Sequence, residues 1–298
     1  MGASAEGVER KVTADGFPAT LTMPAGIDAA PAVLIIAGSG PTDRDGNNPL
    51  GGKASYLAKL AAALADRGVA SLRYDKRGAI GGPPAGDESA VTFGTFVDDA
   101  DTVLDWLQTR PELRSLMLMG HSEGGLVALE LASARASVDG VVLLATPGRP
   151  PADTLRDQIE SMPEPLHGQA LEISAALEAG QAVDDVPAAL LPLFRPSVQP
   201  FVRSLFALDP AGRLRQLRKP VLVVGGGKDL QVRRADFDAL ISARPDVASA
   251  WYPHMNHVLV DVAGGMEANI AAYSDPEAEL AAGLADTIAD FIKDSARR

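Results

Sequence analysis

Short apolar runs recur along the chain, separated by longer stretches in which apolar positions return every three or four residues. Val8 to Ala14 and Phe17 to Met23 alternate around Asp15-Gly16, and this spacing predicts a β-hairpin because Asp-Gly suits the left-handed positions of a tight hairpin turn. Ala32 to Ala37 is continuously apolar and reads as a buried strand. Ala54 to Arg67 has helical spacing and stops at Gly68, and Val69 to Arg73 reads as the next strand. The same rhythm predicts a helix over Thr95 to Thr109, a strand over Leu113 to Met119, a helix around Leu126 to Ala132 and a strand over Val138 to Leu144. Val221 to Val224 and Ser249 to Tyr252 complete the strands, and Pro276 to Lys293 is expected to form a closing amphipathic helix. Strands alternating with helices imply an α/β fold, a mostly parallel central sheet with helices on both faces. Ligands then belong at the carboxyl ends of the strands.

One stretch breaks this rhythm. Between Thr146 and Pro220 no strand is evident, and helices are expected over Leu166 to Ala179 and Val198 to Leu208, separated by Pro187, Pro192 and Pro196. This segment is expected to be a helical cap, or lid, inserted after the sixth strand. The expected division is a core of residues 1–147 and 212–298 with a cap of residues 148–211. An insertion at that end of a sheet lies over the pocket, so Phe194, Phe201 and Phe206 are expected to bind substrate, with Gly38 and Gly40 on the facing loop.

Composition narrows the function classes. With 298 residues, 46% of them hydrophobic and 22% charged, the chain can bury a large core. Its net charge of −12 argues against phosphate-backbone binding, which needs clustered Lys and Arg. Without cysteine there is no disulfide framework, thiolate metal site or cysteine nucleophile. The first residues have no basic stretch followed by an apolar one, and no apolar run is long enough to span a bilayer, so a cytoplasmic enzyme is the default expectation.

The candidate chemistry centres on Gly120-His121-Ser122-Glu123-Gly124, a G-x-S-x-G sequence between a strand and a helix. A sharp turn there lifts a serine hydroxyl clear of the sheet while the glycines admit neighbouring backbone. A serine nucleophile needs a positioned imidazole to take its proton. Of the four histidines, His121 should project away from the hydroxyl and His167 falls in the cap. His254 and His257 both follow the last strand, and His257 is preferred because it lies deeper in the loop, just before Val258-Leu259-Val260. The orienting carboxylate is expected after an intervening strand, which selects Asp229. Asp236 and Asp238 are expected on a solvated helix face, and Asp261 follows the histidine and fits the order badly. The oxyanion donors are expected to be the N–H groups of Glu123 and of Ser39, in the loop Gly38-Ser39-Gly40-Pro41-Thr42-Asp43-Arg44-Asp45-Gly46-Asn47. That loop fails as a dinucleotide fingerprint because Asp43 stands at the third glycine. It fails as a calcium loop because Ala54 stands where the bidentate glutamate belongs.

Together with Arg73-Tyr74-Asp75-Lys76-Arg77-Gly78, these motifs make the chain resemble the α/β-hydrolase superfamily, and more narrowly bacterial carboxylesterases related to serine aminopeptidase-like hydrolases. The resemblance implies a triad of Ser122, Asp229 and His257, with Ser39 and Glu123 at the oxyanion positions. The family often has His-Gly at the oxyanion strand end, where this chain has Ala37-Gly38. The Arg73 to Gly78 segment reads as a buried ion-paired scaffold for the oxyanion loop. The implied activity is hydrolysis of carboxylic esters of short to medium acyl chain through an acyl-enzyme, without cofactor or metal. The expected partner is a small-molecule ester, with no nucleic acid and no membrane; a homodimer stays open. An aminopeptidase or thioesterase of the same fold, and a binding protein that kept the fold without the chemistry, remain alternatives.

Overall fold

A computed structural model describes residues 7–49, 52–160 and 162–297. The elements in chain order are β1 (Val8–Ala14), β2 (Phe17–Met23), β3 (Ala30–Ile36), α1 (Tyr56–Ala65), β4 (Ala70–Tyr74), α2 (Phe93–Gln108), β5 (Leu113–His121), α3 (Glu123–Ala134) and β6 (Gly140–Leu144). They continue with α4 (Pro151–Ile159), α5 (Leu166–Glu178), α6 (Leu191–Phe194), α7 (Gln199–Phe206), α8 (Pro210–Gln216), β7 (Val221–Gly226), α9 (Arg234–Ala243), β8 (Ala248–Tyr252), α10 (Met266–Ala272) and α11 (Leu284–Ser295). The eight strands form one sheet in the order β1-β2-β4-β3-β5-β6-β7-β8. The hairpin strands pair antiparallel and every other neighbouring pair from β4 to β8 is parallel.

Ala32 to Ile36 of β3, Leu116 to Met119 of β5, and β6 and β7 throughout are apolar at successive positions because both sheet faces are covered. On one face Leu34, Ile36, Leu116, Leu118, Val141 and Leu143 pack against α2, α3, α8 and α9. On the other, Val33, Ile35, Met117, Met119, Val142 and Leu144 pack against α1 and α11. Successive residues point to opposite faces, so one continuous run supplies two cores. The hairpin turns at Asp15 (φ 43) and Gly16 (φ 93), both left-handed as its dipeptide demands.

Helices α4 to α7 share a third apolar cluster built on Ile159, Ile173, Leu177, Leu190, Phe194 and Val202. Two polar clasps join this group to the sheet domain. Arg149 pairs with Asp236 at 2.8 Å and with Asp157 at 2.5 Å, and the Glu88 carboxylate accepts from the Arg195 guanidinium and from Ser197 Oγ.

The end of the chain departs from expectation. The closing helix begins at Leu284, not at Pro276, because Gly283 takes a left-handed φ of 79 and the preceding residues are drawn into backbone pairing. Leu280 bridges to Val260, and Ala281 N–H donates to the Leu259 carbonyl at 2.8 Å. Tertiary pairing overrides helical spacing here. Among the described residues, no helix is long and apolar enough to cross a membrane.

Candidate active site

Ser122 sits between the last residue of β5 and the first of α3, at the carboxyl end of the parallel sheet. Its backbone has φ 53 and ψ −124, a conformation that costs about 1–3 kcal/mol for a residue with a side chain. Neighbouring structure enforces the turn: the Ser122 N–H donates to the Leu144 carbonyl at 2.8 Å. The elbow glycines have no room for substitution, since a Cβ at Gly120 would lie 2.1 Å from the Gly124 carbonyl oxygen and one at Gly124 would lie 2.3 Å from that of Ile36. The serine is 8% exposed, on the floor of the site.

Asp229 follows β7 and His257 follows β8. His257 Nδ1 and Asp229 Oδ2 are 2.8 Å apart, both side chains almost fully buried. The other carboxylate oxygen accepts from the N–H groups of Gln231 (2.7 Å) and Val232 (2.9 Å), so only Oδ2 is left for the imidazole. With Nδ1–H donated to the carboxylate, the Nε2 lone pair of His257 is the proton acceptor. Asn256 braces the histidine loop by accepting from Val258 N–H and Val260 N–H, both at 3.1 Å.

His121 points away from the Ser122 side chain and into the scaffold. Its Nε2 donates to the His257 carbonyl at 2.7 Å, and its Nδ1 meets the Tyr56 hydroxyl at 3.1 Å. The His121 and His257 rings lie 4.7 Å apart, so the residue preceding Ser122 touches the proposed base directly. Burial and the neighbouring His257 hold His121 well below the usual imidazole range, and the ring is neutral.

The loop after β3, expected to supply an oxyanion donor, lies against the elbow: a Cβ at Gly38 would sit 3.2 Å from Ser122 Cβ. Ser39 and Gly40 are exposed beside it, and Gly40 has φ +68. The Glu123 N–H opens α3, where the helix dipole favours negative charge. Behind the loop lies a lattice of charge. Arg73 pairs with Asp45 at 2.5 Å and with Glu9 at 2.6 Å, Arg44 pairs with Asp75 at 3.0 Å, and Lys76 Nζ donates to the Gly38 carbonyl.

The remaining candidates fall elsewhere. His254 is exposed, His167 of α5 pairs with Glu164 at 3.0 Å, and exposed Asp261 accepts from Ala282 N–H. Asp238 pairs with Arg234 on the surface, as expected of a solvated face. Asp236 does not: it is 0% exposed and accepts from Gly148 N–H, Arg149 N–H, the Arg149 guanidinium and Thr154 Oγ1. Helical position alone does not reveal the donors that converge on it from Gly148, Arg149 and Thr154. Of the phenylalanines, Phe194 is wholly buried in the cluster shared by α4 to α7, while Phe201 stacks edge-on against Phe96 of α2 at 5.5 Å. Phe206 is partly buried at the margin of the same cluster. Arg73, Asp75 and Lys76 of the Arg73 to Gly78 segment do lie buried and ion-paired behind the loop after β3, with Lys76 on the Gly38 carbonyl. Sequence reasoning missed Tyr56, because its partner His121 is 65 residues away along the chain.

A mostly parallel sheet carrying a strained strand-to-helix serine, with an Asp–His pair in the loops after its last two strands, defines the α/β-hydrolase class. Within it, the chain belongs to the serine aminopeptidase S33 family, whose profile matches residues 50–261. Esterase EstD of Thermotoga maritima is 28% identical over 262 residues, covering 86% of this chain. The chain spans 61% of the length of that relative. A putative carbamate hydrolase, RutD of Variovorax paradoxus, is 27% identical over 238 residues, 73% of this chain and 86% of that protein. Among solved structures, Est1E from Butyrivibrio proteoclasticus with ferulic acid bound superposes with a TM-score of 0.64 at 16% identity, covering 97% of this chain and 100% of that one. A proline iminopeptidase of Mycobacterium smegmatis reaches 0.59 at 17% identity, covering 97% and 99%. These two establish the shared fold.

Proposed function

We propose that the protein is a serine carboxylesterase acting on neutral esters of short to medium acyl chain, with Ser122, His257 and Asp229 as its triad. The observation that carries this reading is the buried 2.8 Å pair of His257 and Asp229 on the loop that His121 ties to the strained serine. Ser122 Oγ attacks the ester carbonyl carbon as its proton passes to His257 Nε2. The N–H groups of Ser39 and Glu123 receive the negative charge that forms on the carbonyl oxygen. The carbon–oxygen bond to the alcohol then breaks, and His257 protonates the departing alkoxide. Water enters, gives a proton to His257 and attacks the acyl carbon, and the carboxylic acid leaves as Ser122 recovers its proton. Asp229 holds the tautomer throughout and stabilises the imidazolium.

The family takes its description from aminopeptidases, which need a carboxylate to hold the free amine of the substrate. Glu123, Glu160 and Glu164 are candidates for that task, and each is already engaged: Glu123 with Lys76 at 3.9 Å, Glu160 with Arg233 at 3.0 Å and Glu164 with His167 at 3.0 Å. This favours an ester over an aminoacyl amide. In the same reading residues 148–211 act as a cap, with Phe201 and Phe206 offering apolar surface to the acyl group. The test is a panel of p-nitrophenyl esters from acetate to palmitate, run beside aminoacyl p-nitroanilides and beside Ser122→Ala. Turnover of the shorter esters, abolished in Ser122→Ala, is expected. Preference for the anilides, or for palmitate alone, would overturn the assignment.

A further inference from the structure

Lys76 takes no part in the acyl-transfer steps, yet its ammonium is buried beside them. The residue lies just past the carboxyl end of β4 and is 5% exposed. A buried ammonium without partners is strongly disfavoured, so the groups around Nζ define its role. Three surround it: the Gly38 carbonyl oxygen, to which it donates, the Glu123 carboxylate at 3.9 Å, and the face of Phe96, whose centroid is 5.4 Å away. Burial pushes Lys76 below its ordinary range and Glu123 above its own, while the charge of each draws the other back.

Two of these three contacts fall on the Gly38–Ser39 peptide and on Glu123, which would supply the oxyanion donors. In a trans peptide the carbonyl and the N–H lie on opposite edges. With the Gly38 oxygen turned to Lys76, the Ser39 N–H of the same peptide faces the other way. The same ammonium draws in the Glu123 side chain, and with it the first turn of α3, whose leading N–H is the second donor. Among the described residues, neither N–H donates to an acceptor within the protein.

We propose that Lys76 is the positioning residue of the oxyanion site: its ammonium holds the Gly38 carbonyl and the Glu123 carboxylate together, setting the Ser39 and Glu123 N–H groups at the separation one oxyanion requires. The proposal rests on the assignment of those two amides as oxyanion donors. A lysine here therefore acts through backbone that it orients and never touches the substrate.

The test compares Lys76→Met, Lys76→Arg and Glu123→Gln with the wild-type chain, using a short p-nitrophenyl ester and a boronic acid that forms a tetrahedral adduct on the serine. Lys76→Met is expected to lower kcat by about 10²-fold with KM changed by less than about threefold. The boronate should weaken by the same factor as kcat/KM, since it samples the tetrahedral geometry. Lys76→Arg should recover part of both losses. A kcat and boronate affinity within about threefold of wild type, or a loss carried wholly by KM, would overturn the proposal. If thermal unfolding shows that Lys76→Met does not fold, Glu123→Gln carries the test: it must weaken turnover and boronate in parallel, and unchanged boronate binding overturns the proposal. Ser122→Ala separates the two levels. Full turnover in Ser122→Ala removes the serine mechanism itself, whereas an inactive Ser122→Ala beside an unaffected Lys76→Met removes only the role of Lys76.

Discussion

Asp229 places both backbone-donated bonds on one oxygen and reserves the other for His257, so its work is to select a tautomer. Asp229→Asn should therefore lower kcat by about 10⁴-fold while the protein remains folded, because the amide cannot hold Nδ1–H in place. Steady-state kinetics with a short ester beside circular dichroism checks this, and a loss below tenfold would contradict it. His121 yields a pH prediction. Its folded pKa is depressed by burial, so below about pH 6.5 the unfolded chain takes up a proton that the folded chain refuses. Stability from this group is fully present above that pH and is lost as the pH falls toward the depressed folded value, by about 1.4 kcal/mol per pH unit. Urea unfolding at pH 7 and pH 5.5 should show a shallower fall for His121→Asn than for wild type; equal falls would contradict it. Ser122, Asp229 and His257 could be nominated from sequence because each follows a recognisable strand in a fixed order. The orientation of His121 and the buried scaffold that holds Lys76 were legible too, but their carbonyl partners were not, since each is supplied by a distant loop.

β3, β6, β7 and the Leu116 to Met119 run of β5 were legible at the scale of elements because a run covered on both faces is apolar throughout, and the hairpin because Asp15-Gly16 suits the left-handed positions of its turn. Pro276 to Gly283 has helical spacing yet forms no helix, because its pairing partners at Leu259 and Val260 lie outside any local window. Two elements depend on close fit that can be probed. Gly124→Ala should force α3 away from β3, with a loss of about 1–3 kcal/mol in chemical denaturation and a larger fall in turnover than in stability, because the displaced helix carries the Glu123 N–H. Asp236→Ala should destabilise by about 3–5 kcal/mol, since Arg149 and two backbone N–H groups at the foot of α4 lose their acceptor. Thermal unfolding that leaves Asp236→Ala level with wild type would show that the clasp contributes nothing.

Across the whole molecule, a sheet with two covered faces fixes three loops at one end, and the helices from α4 to α7 attach through Asp236 and Glu88 close to that end. A net charge of −12 suits a neutral substrate better than a polyanion. The central claim is that one serine hydroxyl, activated by His257, carries the acyl group. Its most direct measurement is peptide mapping by mass spectrometry after exposure to a fluorophosphonate, with ester turnover followed in the same samples. The account predicts a single phosphonyl group on Ser122, loss of turnover in step with labelling, and no labelling of Ser122→Ala or His257→Ala. A label on any other residue, or ester turnover that persists after Ser122 is fully modified, would contradict it.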